Sequence, residues 1–445
     1  MSPPERRRLL LRRWRCSLGL LLALAPAAVP ALLRAPVNEE DPRSAYAQAT
    51  PDNVIARLQK RIDSGQVTLA YDSKQGYLPA VLKALQIPAS SQMLVFSKTS
   101  VQKELISPQT PRALYFNDDA YVGYLPDAKA LEIATTDPQW GPVYYVLLQK
   151  PRDKPIFFRT VDACLECHAT RTTHYVPEHL MHSVYADTDG TPLPKAPTYE
   201  TTDESPLEER WGGWYVTGKH GNQRHMGNAL ATMRDGAARM DREKGANLTD
   251  LRGRFDTSSY LTPHSDIVAL MALAHQTHLQ NLITQAHYQT RAALLAAKTA
   301  HSAGAPPDAV HAENAPDRIQ AACEPLVKAM LFVDEAPLKA PITGTTGFAE
   351  QFAARGPRDR KHRSLRELDL KRRLLRYPCS YTIYSEAFDA LPDPAKDYLF
   401  RRLQEVLSGR DRSKEFAPLS AADRKAIREI LLETKPAFAA WVARR

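Results

Sequence analysis

Cysteine is scarce in this chain: five residues in 445 are too few for a disulfide-stapled scaffold. Glycine, at 19, falls below the usual ~7%, while proline, at 34, exceeds the usual ~5%. Connections with fixed φ are therefore expected more often than flexible linkers. No repeat of fixed period is visible, and no apolar run after the first 34 residues reaches transmembrane length. With 43% apolar and 24% charged residues, collagen-like, disordered and polytopic membrane classes are set aside.

The charge is unevenly placed. The formal net charge is +9, which would suit a nucleic-acid binder if it were spread over a fold. Six arginines between Arg6 and Arg15 instead precede an apolar run from Leu18 to Leu33, broken by Pro26 and Pro30 and rich in alanine. A basic start, a short apolar run and small-residue exits describe a bacterial export signal over residues 1–34, with an uncleaved anchor as the alternative. The remainder is expected to be periplasmic. Removing residues 1–34 takes seven arginines and Glu5 away and leaves 52 basic against 49 acidic residues. Within that near-neutral body, residues 355–376 hold ten Lys/Arg against Asp359, Glu367 and Asp369. That stretch reads as a solvated helix face or as a docking surface for an acidic redox partner protein.

The expected fold class is α+β. Short helices are expected near Pro51–Lys60 and Tyr77–Leu85, and β-prone runs at Met93, Ala113, Ala120, Leu131 and Val143, bounded by Pro, Asp and Asn turns. From Thr170 to Phe255 long ordered loops are expected, with a strand at Trp211–Val216. After Pro263 the apolar spacing turns helical, with Ile267, Leu270, Met271, Ala274, His275, His278 and Leu282 on one face, running to about Ala300. Further helices are expected at Pro316–Phe332, Leu365–Leu375, Pro394–Leu407 and Ala421–Thr434. The organisation is then a linker and short helix over 35–70, an α+β region over 71–255, a long helix over 256–300 and a helical region over 301–445.

The strongest chemical signal is Cys164-Leu165-Glu166-Cys167-His168. In an exported protein, Cys-x-x-Cys-His is the attachment sequence of c-type haem. Two thiols one helical turn apart can each add across a haem vinyl group, while the adjacent imidazole becomes the axial ligand. Half a zinc site and a redox dithiol are the competing readings. Zinc needs two further ligands, and no second Cys-x-x-Cys is present. A thioredoxin-like dithiol should open a helix after a strand of a βαβ unit, and Phe157–Val161 offers such a strand.

What one haem does depends on the sixth position of its iron. His275, on the apolar helical face, and His225, in Arg224-His225-Met226-Gly227, are the candidate distal metal ligands, each weighed against an ordinary buried or surface histidine. An open sixth position is the third choice. His174, His179, Met181 and His182 can reach the haem edge more easily than its far face. Arg210, Trp211 and Arg224 are candidate partners of the haem propionates. Cys323 and Cys379 could form one disulfide between C-terminal helices.

Taken together, Arg112-Ala-Leu-Tyr-Phe-Asn-Asp, the Cys164–His168 motif, Glu209-Arg-Trp-Gly-Gly-Trp-Tyr-Val-Thr-Gly, Arg224-His-Met-Gly-Asn, Asn247-Leu-Thr-Asp-Leu and Arg376-Tyr-Pro-Cys-Ser-Tyr resemble a family of bacterial exported monohaem cytochrome c-like proteins. The resemblance covers roughly Tyr71 to Pro436 and implies covalent haem c and electron transfer, without naming a substrate. It is distinct from the small all-helical cytochromes c, whose haem motif has no long β-prone segment before it. The function expected is a periplasmic electron carrier. The alternatives are a peroxidase-like haem enzyme with an open distal site and a haem-based sensor.

Overall fold

The computed structural model describes residues 45–302 and 315–445, without the side chains of 300–302; residues 1–34, where an export signal is expected, lie outside the described residues. From residue 45 onward the chain belongs to one unit.

Helix α1 (Val54–Asp63) starts where the Asn53 side chain accepts from the amides of Ile55 and Ala56, and α2 (Leu78–Leu85) carries proline in its first turn. Six strands follow: β1 (Met93–Val95), β2 (Arg112–Phe116), β3 (Ala120–Tyr124), β4 (Ala130–Asp137), β5 (Gly141–Leu148) and β6 (Phe157–Thr160). They form an antiparallel sheet in the order β6-β5-β4-β3-β2-β1, and a later strand, β9 (Trp214–Tyr215), adds beyond β1. Side-chain oxygens make the tight turns. Asn117 Oδ1 takes the amides of Asp119 and Ala120 between β2 and β3, and Asp137 Oδ1 takes those of Gln139 and Trp140 between β4 and β5.

The sheet has two unlike faces. Tyr115, Val122, Leu131, Ile133, Val143, Tyr145 and Phe157 share a core with α1 and α2. The other face divides by position. At the β1–β2 end, Met93, Val95 and Phe116 join the core built on the long helix. At the β5–β6 end, Leu148 and Phe158 point from the same face and remain about two-fifths exposed.

The short helix α3 (Asp162–His168) follows β6 directly. Two small hairpins, β7 (His182–Val184) with β8 (Thr198–Glu200) and β10 (Ala231–Arg234) with β11 (Ala237–Met240), interrupt the irregular chain between Ala169 and Asp266. Helix α4 (Ile267–Ser302) is 36 residues long. Its start is fixed by Asp266, whose Oδ1 accepts from the amides of Val268 and Ala269 and whose Oδ2 accepts from Thr345, Thr346 and the Thr346 hydroxyl. Gly344 permits that approach, because a Cβ there would lie 2.6 Å from Asp266 Oδ2. Helices α5 (Ala315–Met330), α6 (Phe348–Ala354), α7 (Glu386–Asp389), α8 (Asp393–Leu407), α9 (Ala421–Thr434) and α10 (Pro436–Ala443) complete the chain. The architecture is α+β: a seven-stranded antiparallel sheet with short helices, then a helical C-terminal half. No helix among the described residues is long and apolar enough to cross a membrane.

Three local expectations are corrected. The strand at Trp211–Val216 contracts to Trp214–Tyr215, because Trp211 (φ 65) and Gly213 (φ 83) leave the extended region. Residues 365–375 form no helix. Asp369 takes the amides of Lys371 and Arg372, and Leu370 has φ 56, so turn geometry replaces the helical ladder. Cys323 and Cys379 are separate buried thiols rather than a disulfide.

Candidate functional site

Helix α3 displays the motif at the edge of the sheet, with Cys164 and His168 half-buried and no residue fully so. Cys164 Sγ lies 3.1 Å from Thr160 Oγ1 on the preceding strand, while Cys167 is exposed. Burial pushes the Cys164 thiol above its ordinary value, a rise that the Thr160 contact only partly offsets. An activated redox dithiol would show the opposite shift. The strand before α3 is an antiparallel edge strand, so the βαβ setting of a thioredoxin-like dithiol is also missing. Among the described residues no cluster of three or more His, Cys, Asp or Glu is arranged to hold a metal ion, which is what a zinc site would need.

His168 is held from three sides. Its Nδ1 is 2.9 Å from the Glu178 carbonyl oxygen, and the Glu178 amide donates back to the His168 carbonyl at 2.9 Å. A carbonyl only accepts, so Nδ1 carries the proton and the Nε2 lone pair is left for a metal. Burial lowers the imidazole below its ordinary value, which keeps it neutral. The Tyr144 hydroxyl donates to the same Glu178 oxygen at 2.5 Å, and the Tyr144 ring lies 4.7 Å from the His168 ring. Leu148 and Phe158, on the sheet face that carries Tyr144, and Tyr175, in the loop after the motif, are exposed apolar side chains. Arg112 and Glu132 pair at 2.6 Å on the sheet face toward the motif, and both act electrostatically on Cys164 and His168. The Glu178 carboxyl is pushed up to about 7 by burial and by Glu200.

The other candidate residues gather elsewhere. His275 has both ring nitrogens engaged, Nδ1 with Asp203 Oδ2 at 3.1 Å and Nε2 with Ser380 Oγ at 2.8 Å, and so offers an iron no lone pair in this arrangement. His278 Nδ1 meets the second Asp203 oxygen at 3.0 Å. Arg210 is buried beside them and donates to the carbonyls of Asp203 and Ser205. His225 is buried against His220 and Trp211, with ring centroids 4.7 and 5.4 Å away. Burial, then the neighbouring His220, pushes it down to about 3, and neither of its ring nitrogens has a hydrogen-bond partner among the described residues. Trp211 Nε1 is likewise unpartnered there. Arg224 pairs with Glu243 at 2.7 Å rather than reaching inward. Of the histidines after the motif, His179 Nε2 meets Thr136, and His182 lies on β7, where its carbonyl accepts from Trp214.

The basic stretch is largely paired with the protein's own carboxylates, inside the stretch and beyond it. Eight of its ten cations pair with carboxylates: Arg358 and Arg376 with Glu367, Arg360 with Glu433, Lys361 with Glu429, Arg363 with Asp359 and Glu429, Arg366 with Asp118, Arg372 with Asp369 and Arg373 with Asp423.

Sequence reasoning missed Tyr144, Glu178 and Asp203. A backbone carbonyl leaves no trace in residue types, and Asp203 lies 72 residues from His275. The fold and this site together define an α+β protein with a Cys-x-x-Cys-His helix on the edge of an antiparallel sheet. Comparison with family models, curated proteins and solved structures finds no match.

Proposed function

We propose that this protein is an exported, periplasmic c-type cytochrome that carries one covalent haem and transfers electrons. Cys164 and Cys167 would form the thioethers and His168 would be the axial ligand. The observation that carries the reading is the His168 clamp: Nδ1–H is committed to the Glu178 carbonyl, so Nε2 is free and oriented in the manner of a metal-bound histidine. The exposed Leu148, Phe158 and Tyr175 add support, since a macrocycle attached at α3 would find apolar surface there. The antiparallel edge strand before α3 lacks the βαβ setting of a thioredoxin-like dithiol, which leaves the anchor role for the two thiols.

A second reading rests on the sixth position of the iron. His275 is committed to Asp203 and Ser380, and His225 sits in a separate buried cluster, which favours an iron with an open side. That would suit a peroxidase-like haem enzyme or a haem sensor. A redox partner would meet the exposed α3 edge, since residues 355–376 have few cations left for an acidic surface.

The test is to express the full chain with the haem-attachment machinery. A mass gain of one haem that is lost in the double variant Cys164→Ala/Cys167→Ala is expected, and no gain in the native sequence sinks the reading. Absorption spectra then separate the two versions. A reduced spectrum indifferent to carbon monoxide supports the carrier, and ready binding supports the open site.

A further inference from the structure

We infer that Tyr144 is a positioning residue that sets the electron affinity of the iron through the Glu178 carbonyl, an inference that rests on the c-type haem reading above. Three groups converge on that carbonyl's surroundings. Tyr144 O–H donates to it at 2.5 Å and His168 Nδ1–H at 2.9 Å, while the Glu178 amide ties the same residue to the His168 carbonyl at 2.9 Å. The Tyr144 ring also packs against the imidazole at 4.7 Å and an interplanar angle of 34°. Tyr144 comes from β5 and Glu178 from the loop after the motif, so the sheet pins the loop, and the loop orients the ligand.

A carbonyl oxygen has two lone pairs and one pool of electron density. An oxygen already engaged by a short bond from a phenol is a weaker acceptor for a second donor. The His168 Nδ1–H bond is therefore weaker than it would be with an unshared carbonyl, and the ring pushes less density toward Nε2. A less basic axial imidazole stabilises the ferric state less, which raises the reduction potential. Tyr144 thus acts on the iron without touching it.

The experiment uses full-length chain carrying its haem and compares Tyr144→Phe with Tyr145→Phe. Tyr145 is its neighbour on the opposite sheet face, where its hydroxyl bonds Asn53. Both variants keep the ring. Mass spectrometry first reports covalent haem, and a redox titration against a mediator of fixed potential follows. The expected result for Tyr144→Phe is native haem content and a lower potential, with the ferric-to-ferrous ratio at fixed potential raised by roughly twofold and by no more than about fivefold, the limit set by the weight of one whole net hydrogen bond. Tyr145→Phe should titrate like the native protein. An unchanged or raised potential in Tyr144→Phe, or equal shifts in both variants, overturns the inference while leaving the haem reading intact. Absence of haem from the native chain overturns the haem reading, and this inference with it.

Discussion

Asp203 holds two imidazoles on one carboxylate inside the protein, and the energetics of that arrangement can be measured. Burial alone would raise the Asp203 carboxyl, but the charges and hydrogen bonds of His275 and His278 outweigh it and hold it well below the ordinary value. Burial likewise opposes the charge on His278, and the Asp203 bond wins, so that imidazole keeps its proton above its usual range. The signs fix a pH window. The depressed carboxyl contributes stability above about pH 3.9, its unfolded value, and loses it as pH falls toward the folded one. The raised His278 contributes fully below about pH 6.5 and loses its share as pH rises through the folded value. His278→Gln should therefore cost most between about pH 4 and 6.5 and progressively less above that, as read by urea denaturation from pH 4.5 to 8.5; a cost that grows with pH would contradict the assignment. Asp203→Asn removes the charge from a site with two ring donors and should cost about 3 kcal/mol near pH 6.

At the scale of elements, the start of α4 depends on a single side chain. Asp266 caps the helix with one oxygen and gathers the 345–346 backbone with the other, so Asp266→Ala both uncaps α4 and strands two half-buried amides of a distant loop. A loss of about 2 kcal/mol is expected in chemical denaturation, against about 1 kcal/mol for a cap alone, because the two loop amides are only partly shielded from water. The periodic elements were legible before the structure. Pairing of short β-prone runs across Asn and Asp turns, and the apolar stripe from Ile267, need only local information. The Cys164–His168 motif stands out for the same reason, since its five residues are adjacent in the chain. The long segment between Ala169 and Asp266 was legible only as loop. Its conformation rests on contacts such as Val184 N to Gly212 O and Trp214 Nε1 to His182 O, whose partners are about 30 residues apart and follow no period. The apolar helical stripe placed His275 and His278 correctly on the inner face, yet gave no sign that a carboxylate would be waiting there. The sequence therefore leaves His275 open as a distal ligand, whereas the fold engages its ring with Asp203 and Ser380.

At the scale of the whole molecule, the charge that opened as an excess becomes a strap. Arg366 reaches from the irregular 355–376 segment to Asp118 in the β2–β3 turn, with its guanidinium 4.3 Å from the Tyr381 ring and 4.9 Å from Phe352. Arg363 and Lys361 bind Glu429, and Arg373 binds Asp423, both on α9. One run of cations thus ties the helical C-terminal half to the sheet that carries α3. Arg366 is buried although Asp118 is about two-fifths exposed, so salt weakens the ion pair in part and leaves the stacking intact. Arg366→Ala should lower stability by about 2 kcal/mol, with part of the loss persisting at high salt. Arg355 and Lys371, the cations of the segment without an ion pair among the described residues, make the complementary case. Replacing both with alanine should leave stability within about 0.5 kcal/mol of the native protein. If the segment instead served to dock an acidic partner, that double variant would slow electron exchange with an acidic redox protein severalfold at low ionic strength. The strap account expects the rate to change by less than about twofold, because the cations that matter already have their carboxylates.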